Sequence, residues 1–197
     1  MNKDDILGYT MIILILIISY KIYRDSDLFQ LKCIISDVNG DTYCVRERKN
    51  IKQASDLLAK TSDKMKELVE YTYKKYPNDE HVQRLHKKFN PEKIVEILPT
   101  SEFTAYSENK GRKIAFCLNK KKDDDSTLID ENTLMFVAIH ELSHIASVSI
   151  GHTEEFWNNF KFLLEESKNA GIYMPIDYSK NNQEYCSMNI TDNPYFS

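Results

Sequence analysis

The stretch His140-Glu141-Leu142-Ser143-His144 carries two histidines four residues apart, with a glutamate directly after the first. On a helix, residues at that spacing share one face, so both imidazoles can reach a single metal ion and the glutamate can act on water that the metal activates. The chemistry such a group performs is zinc-dependent hydrolysis, with Glu141 as general base. The helix that must carry it is readable. Asp130 or Asn132 can cap its start, and Leu134, Phe136, Val137, Ile139, Leu142 and Ile145 recur at a spacing that leaves His140, Glu141 and His144 toward one side. Histidines that merely fill a core have no use for a glutamate between them.

A catalytic zinc takes three protein ligands and keeps a further position for water, so one more ligand is required. His152 is the expected one: Gly151 can turn the chain back toward the metal, and Thr153 can cap the next helix. Phe156, Trp157, Phe160, Leu163 and Leu164 give that helix an apolar stripe that fixes its position. Glu154, Glu155, Glu165 and Glu166 are rivals for the third place, although acids also belong at a helix start and on a solvated face. A His-x-x-Gly-x-x-His continuation is absent, because Ser147 and Ile150 stand where it would need glycine and histidine. His81 and His86 lack companions at metal-ligand spacing and are expected at the surface.

With the third histidine at His152 and Glu155-Phe156-Trp157 after it, the motif resembles the small zinc peptidases of the WLM and SprT-like group, within the zincin clan. The longer run from Asn132 to Ile139, with Gly151-His152-Thr153, Tyr185-Cys186 and Asn193-Pro194, more specifically resembles uncharacterised WLM-like proteins of large DNA viruses. The resemblance covers residues 45–197 and is sharp over 132–164. It implies a minimal zincin fold and peptidase activity. Enzymes of that group are associated with degrading proteins crosslinked to DNA, a role that the motif alone does not carry over.

The chain has 197 residues and a net charge of −4, which suits one domain with appendages and offers no global basic field for nucleic acid. Arg46-Glu47-Arg48-Lys49 and Lys120-Lys121-Lys122 are mixed with or followed by acids and read as solvated loops. Cys33, Cys44, Cys117 and Cys186 form no C-x-x-C pair, which argues against a cysteine zinc site. Cys33 and Cys44 flank the turn signal Asp37-Val38-Asn39-Gly40 and can approach each other across a hairpin, while a reducing compartment would keep them as thiols. Cys117 and Cys186 are expected as small buried hydrophobes.

Residues 6–22 run without a charge until Lys21, a stretch that at about 1.5 Å per residue just crosses a hydrocarbon core of roughly 30 Å. Ser19-Tyr20-Lys21-Ile22-Tyr23-Arg24 offers no small-x-small cleavage site, so residues 1–24 read as an uncleaved transmembrane anchor rather than a signal peptide. Lys21, Arg24 and Lys32 outnumber the single Lys3 on the other flank, which favours a single-pass membrane protein with its domain in the cytosol. Residues 25–49 then read as a linker with a hairpin about Asn39-Gly40, and 50–197 as the domain. Apolar positions from Ile51 to Tyr76 predict one long helix backing a sheet, and Asn78-Asp79 starts a shorter one. Strand-like stretches cover 94–98, 103–106 and 113–118, whereas the tail after Gly171 shows little periodicity.

The fold class expected is therefore α+β: a minimal zincin-like domain with a small sheet, a long backing helix and the metal helix, preceded by a transmembrane helix. Its expected partners are a protein or peptide substrate and, through the N-terminal helix, a membrane. A second stabiliser for negative charge on the scissile carbonyl is sought in Tyr178 or Tyr185, with a structural role in the core as the alternative for each. An extended substrate is expected to add beside Ile114-Ala115-Phe116 as the edge strand, the alternative being that this stretch is central. The competing function is a membrane-tethered interaction protein with zinc as a structural staple, in which Glu141 would have no task; hydrolysis of a non-peptide amide is a third.

Overall fold

An uninterrupted apolar run satisfies its backbone internally as a helix, and the N-terminal segment does so as α1 (Lys3–Arg24). The structure, a computed structural model, describes residues 3–24, 30–124 and 126–197. The span Asp5–Tyr23 is long and apolar enough to cross a membrane and has none of its length buried against the chain; a signal sequence has the same length and composition. Of the expected linker, residues 25–29 lie outside the described residues.

Around Asn39-Gly40 the chain reverses as those turn residues require, with Gly40 at a φ of 78°. The flanking strands β1 (Leu31–Ile35) and β2 (Thr42–Arg46) pair antiparallel with Cys33 opposite Cys44. The expected long helix follows as α2 (Ile51–Lys75), burying Ala54, Leu58, Met65, Leu68 and Thr72 along one stripe. Asp79 caps α3 (Glu80–Lys88), its carboxylate accepting from the His81 and Val82 amides. Three short strands come next, β3 (Ile94–Glu96), β4 (Ala105–Glu108) and β5 (Lys113–Phe116). They complete a five-stranded mixed sheet in the order β1-β2-β3-β5-β4, with β2, β3 and β5 parallel and β4 antiparallel to β5. The metal-helix candidate α4 (Glu131–Ala146) and its successor α5 (Glu154–Asn169) pack with α2 around a core containing Met65, Leu68, Ile114, Phe116, Leu134, Ala138, Leu142 and Phe156. A second small sheet, β6 (Gln183–Tyr185) with β7 (Met188–Ile190), lies in the tail. The result is an α+β fold.

Four sequence expectations change here. The hairpin β1–β2 was expected in a linker, but β2 pairs with β3 and so belongs to the sheet. Ile114, Ala115 and Phe116 do not form an edge: β5 is paired on both sides and all three are fully buried. Apolar residues in succession are what a strand covered on both faces carries, while the short and more polar β4, Ala-Tyr-Ser-Glu, ends the sheet.

Arg46 and Arg48 are not loop charges in solvent. Glu96 is fully buried, accepts from Arg46 Nε at 2.7 Å and contacts Arg48, and both guanidiniums donate to Asn119 Oδ1 at 2.8 and 2.7 Å. A carboxylate at that depth is tolerated because two cations and the Arg46 amide surround it. Cys117 and Cys186, finally, are joined in a disulfide, and Cys33–Cys44 closes the first hairpin, so no cysteine among the described residues is free. The sequence separation of 69 between Cys117 and Cys186 hid that pairing from any local pattern.

Candidate metal centre

Asp130 starts α4, its carboxylate accepting from the Thr133 amide at 2.8 Å and hydroxyl at 2.7 Å. Asn132, the other candidate cap, exchanges hydrogen bonds with the Met174 backbone instead. Nearly every later side chain of α4 is buried, leaving His140 and His144 half-buried on one face with ring centroids 4.9 Å apart.

Beyond α4 the chain passes Gly151, at a φ of 82°, and returns His152 over the pair. Its ring lies 4.9 Å from that of His140 and 5.0 Å from that of His144. One nitrogen from each of the three lies within 4.8 Å of the others, and His152 Nε2 is 3.1 Å from His140 Nε2. Among the described residues this is the one group able to hold a metal ion, and no carboxylate belongs to it. The rival glutamates are accounted for. Glu155 binds the loop before His152, Glu166 pairs with Lys75 at 2.7 Å and with the Tyr76 hydroxyl, and Glu154 and Glu165 are exposed. His81 and His86 also lie apart from the triad, the first beside Glu155 and the second stacked on Tyr73.

Phe156, fully buried on the first turn of α5, forms a floor beneath all three imidazoles, at 4.8 Å from His140, 4.3 Å from His144 and 4.7 Å from His152. This apolar floor has an electrostatic consequence. Burial, with the neighbouring histidines second, lowers His140 to about 3 and His144 to about 4, so both rings are neutral at ordinary pH, the state a metal requires. Glu141 is 4 % exposed and burial raises it to about 8, against the hydroxyl and backbone N–H of Ser107, which favour its charged form. A cation held by the three rings would act in the same direction as Ser107 and return Glu141 to a carboxylate.

The two tail tyrosines separate. Tyr178 packs on Phe136 at 5.0 Å, with Thr133 and Tyr173 near its hydroxyl, at the far end of α4 from the histidines. His140 is seven positions along the helix from Thr133, a rise of about 10 Å, so Tyr178 is a core residue. Tyr185 does stand by Glu141, whose charge helps to raise its pKa after burial, but its hydroxyl donates to the Thr104 carbonyl at 3.1 Å. Ser107, Lys110 and the floor role of Phe156 were not legible beforehand. Asn109-Lys110-Gly111 carries a turn signal between two strands, which says nothing of what the turn touches.

No family model matches the sequence. The chain is 29 % identical over 166 residues to "Uncharacterized protein R325" of Acanthamoeba polyphaga mimivirus, a match covering 80 % of this chain and 81 % of that protein. It is 37 % identical over 101 residues to "Uncharacterized protein 042R" of Invertebrate iridescent virus 3, covering 51 % and 57 % of the two chains. Among solved structures it is similar to Wss1 from Saccharomyces cerevisiae, with a TM-score of 0.47 and 20 % identity over 64 % of this chain and 89 % of that one. In sequence, this chain is thus similar to a mimivirus protein along most of its length and to an iridescent-virus protein along about half of it.

Proposed function

We propose that this chain is a membrane-anchored zinc metallopeptidase of the zincin type, with residues 1–24 as its anchor and the catalytic domain extending from the first hairpin to residue 197. The observation that carries this reading is the convergence of His140, His144 and His152, with ring nitrogens as near as 3.1 Å, beside the buried Glu141. A tetrahedral zinc with nitrogens at roughly 2.0–2.1 Å spaces its ligands by about 3.3 Å; the His140–His152 pair at 3.1 Å is near that spacing and His144 lies within 4.8 Å of both. His152 is exposed, which leaves the approach open as a catalytic site needs and a structural staple does not.

Zinc, when bound, supplies a Lewis acid that polarises the scissile carbonyl and makes water acidic. Glu141 accepts the proton from the attacking water and hands it to the leaving amine, while Ser107 steadies its carboxylate. The free edge of the sheet runs beside this group. Thr104 accepts from the Cys117 amide and Glu108 from the Arg112 amide, so by the alternation of antiparallel pairing Ala105 and Ser107 turn their backbone groups away from β5; the Ser107 N–H is engaged by Glu141, which leaves the N–H and C=O of Ala105 for pairing. An extended peptide adds there as a sixth strand and lies across the histidines.

Two disulfides favour placing the domain on the oxidising side of the membrane, opposite to the side suggested by the basic residues around α1. Stripping the metal from the full chain with a chelator and returning zinc tests the enzymatic reading. Cleavage of an unfolded protein substrate should vanish and then return; cleavage that survives complete metal removal would refute it.

A further inference from the structure

We propose that Lys110 and Glu155 are positioning residues for the metal centre: together they clamp the turn between α4 and α5 and hold His152 over His140 and His144. The proposal rests on the metal-centre reading above.

The turn has little burial of its own. Val148 and Ile150 are 66 % and 90 % exposed, and a side chain at Gly151 would meet nothing within 4 Å. What fixes it is polar. From one side, Lys110 Nζ donates to the carbonyls of His144 at 3.1 Å, Ser147 at 3.0 Å and Ser149 at 2.6 Å. These include acceptors that the end of a helix leaves unsatisfied, and an ammonium suits the negative end of the helix dipole. From the other side, the Glu155 carboxylate accepts from the Val148 amide at 2.8 Å, the Ser149 amide at 2.9 Å and the Ser149 hydroxyl at 2.7 Å. Those backbone bonds are also what lowers Glu155 to about 2. Arg84 closes the remaining gap, donating to the Ala146 carbonyl and standing 3.8 Å from Glu155.

Lys110 reaches this turn because its own hairpin tip is docked. Asn109, Lys110 and Gly111 all have positive φ, at 48°, 55° and 102°, and the Gly111 carbonyl accepts from the Asn90 amide at 3.2 Å. A Cβ on Gly111 would lie 2.7 Å from the Lys88 carbonyl and 2.9 Å from Ile145 Cδ1, so only glycine lets the tip press against α3 and α4. His152 then hangs between two fixed points, Ser149 and the capping Thr153, whose hydroxyls are 2.6 Å apart. A ligand held in place beforehand loses less freedom when the metal arrives, and this is how residues outside the ligand set act on affinity.

The test uses the full chain in detergent as parent, Lys110→Met, Lys110→Arg, Glu155→Gln and His152→Ala. Three quantities are read: amide hydrogen exchange at Val148 and Ser149 without metal, zinc affinity by chelator competition, and the visible spectrum of the cobalt form. Lys110→Met and Glu155→Gln should speed exchange at these amides and weaken zinc by about 10–100-fold. Their cobalt spectra should shift toward that of His152→Ala, while Lys110→Arg, which keeps the cation, should recover most of the affinity. Folded variants that bind zinc as tightly as a zinc-binding parent would overturn the clamp alone. A parent that binds no zinc would overturn the metal centre and the clamp with it. If Lys110→Met fails to fold, Glu155→Gln decides the matter by the same readings.

Discussion

His140 Nε2 and His152 Nε2 face each other at 3.1 Å although the residues belong to different elements, one on α4 and the other in the turn that follows it. Imidazoles meeting nitrogen to nitrogen have room for one proton between them, whereas a metal ion satisfies both lone pairs at once. His152→Ala should therefore leave the helices in place, as judged by circular dichroism. It should weaken zinc by more than the roughly 10–100-fold that supporting partners cost. Undiminished zinc affinity in this variant would remove His152 from the ligand set.

The metal-free protein should be most stable near pH 6.5. His140 and His144 fold with pKa values near 3 and 4 against an ordinary 6.5, so below that pH the unfolded chain binds two protons that the folded one refuses, and stability falls as pH drops. Glu141 works the other way. Raised from 4.5 to about 8, it holds a proton in the fold that the unfolded chain has lost, and stability falls as pH rises through that window. Two protons outweigh one below pH 6.5, and above it Glu141 acts alone. Urea midpoints between pH 5 and 9 in chelator should trace both limbs, and Glu141→Gln should flatten the alkaline one. An alkaline limb unchanged in that variant would assign it to another group.

Non-reducing peptide mapping should recover Cys33 with Cys44 and Cys117 with Cys186. The second bond closes a loop for which the chain-entropy model gives about 4 kcal/mol, so replacing both its cysteines with alanine should cost stability on that order. Recovery of free thiols from the folded protein would also withdraw the argument for an oxidising compartment.

Substrate addition at β4 makes opposite predictions for two neighbouring strands. Ala105→Pro removes an outward N–H from the edge, so peptide cleavage should fall while zinc and fold are retained. Ala115→Pro breaks a ladder paired on both sides and should unfold the domain. Full cleavage by a folded Ala105→Pro variant would rule out strand addition at this edge.

What was legible in advance follows physical range. His140, Glu141 and His144 share a helix, and His152 is separated from them by one short turn, so local spacing and a positive-φ glycine were enough to group them. The long helix α2, the Asp130 and Thr153 caps and the first hairpin are local in the same sense. Sheet order is not local. Ile114 to Phe116 alternate no differently at the centre than at an edge, and only the parallel pairing to β3 makes them central. The ion pairs of Arg46 and Arg48 with Glu96, the Cys117–Cys186 bond and the reach of Lys110 to Ser149 join residues far apart in the chain, where periodicity carries no signal.

Zinc content measured alongside peptide cleavage, for the parent and Glu141→Gln prepared identically, tests the metallopeptidase reading most directly. Both proteins should hold one zinc per chain and the parent alone should cleave, because the amide keeps the shape of Glu141 without its basic oxygen. Equal cleavage by the two proteins, or a parent that holds zinc and cleaves nothing in a broad peptide library, would contradict that reading.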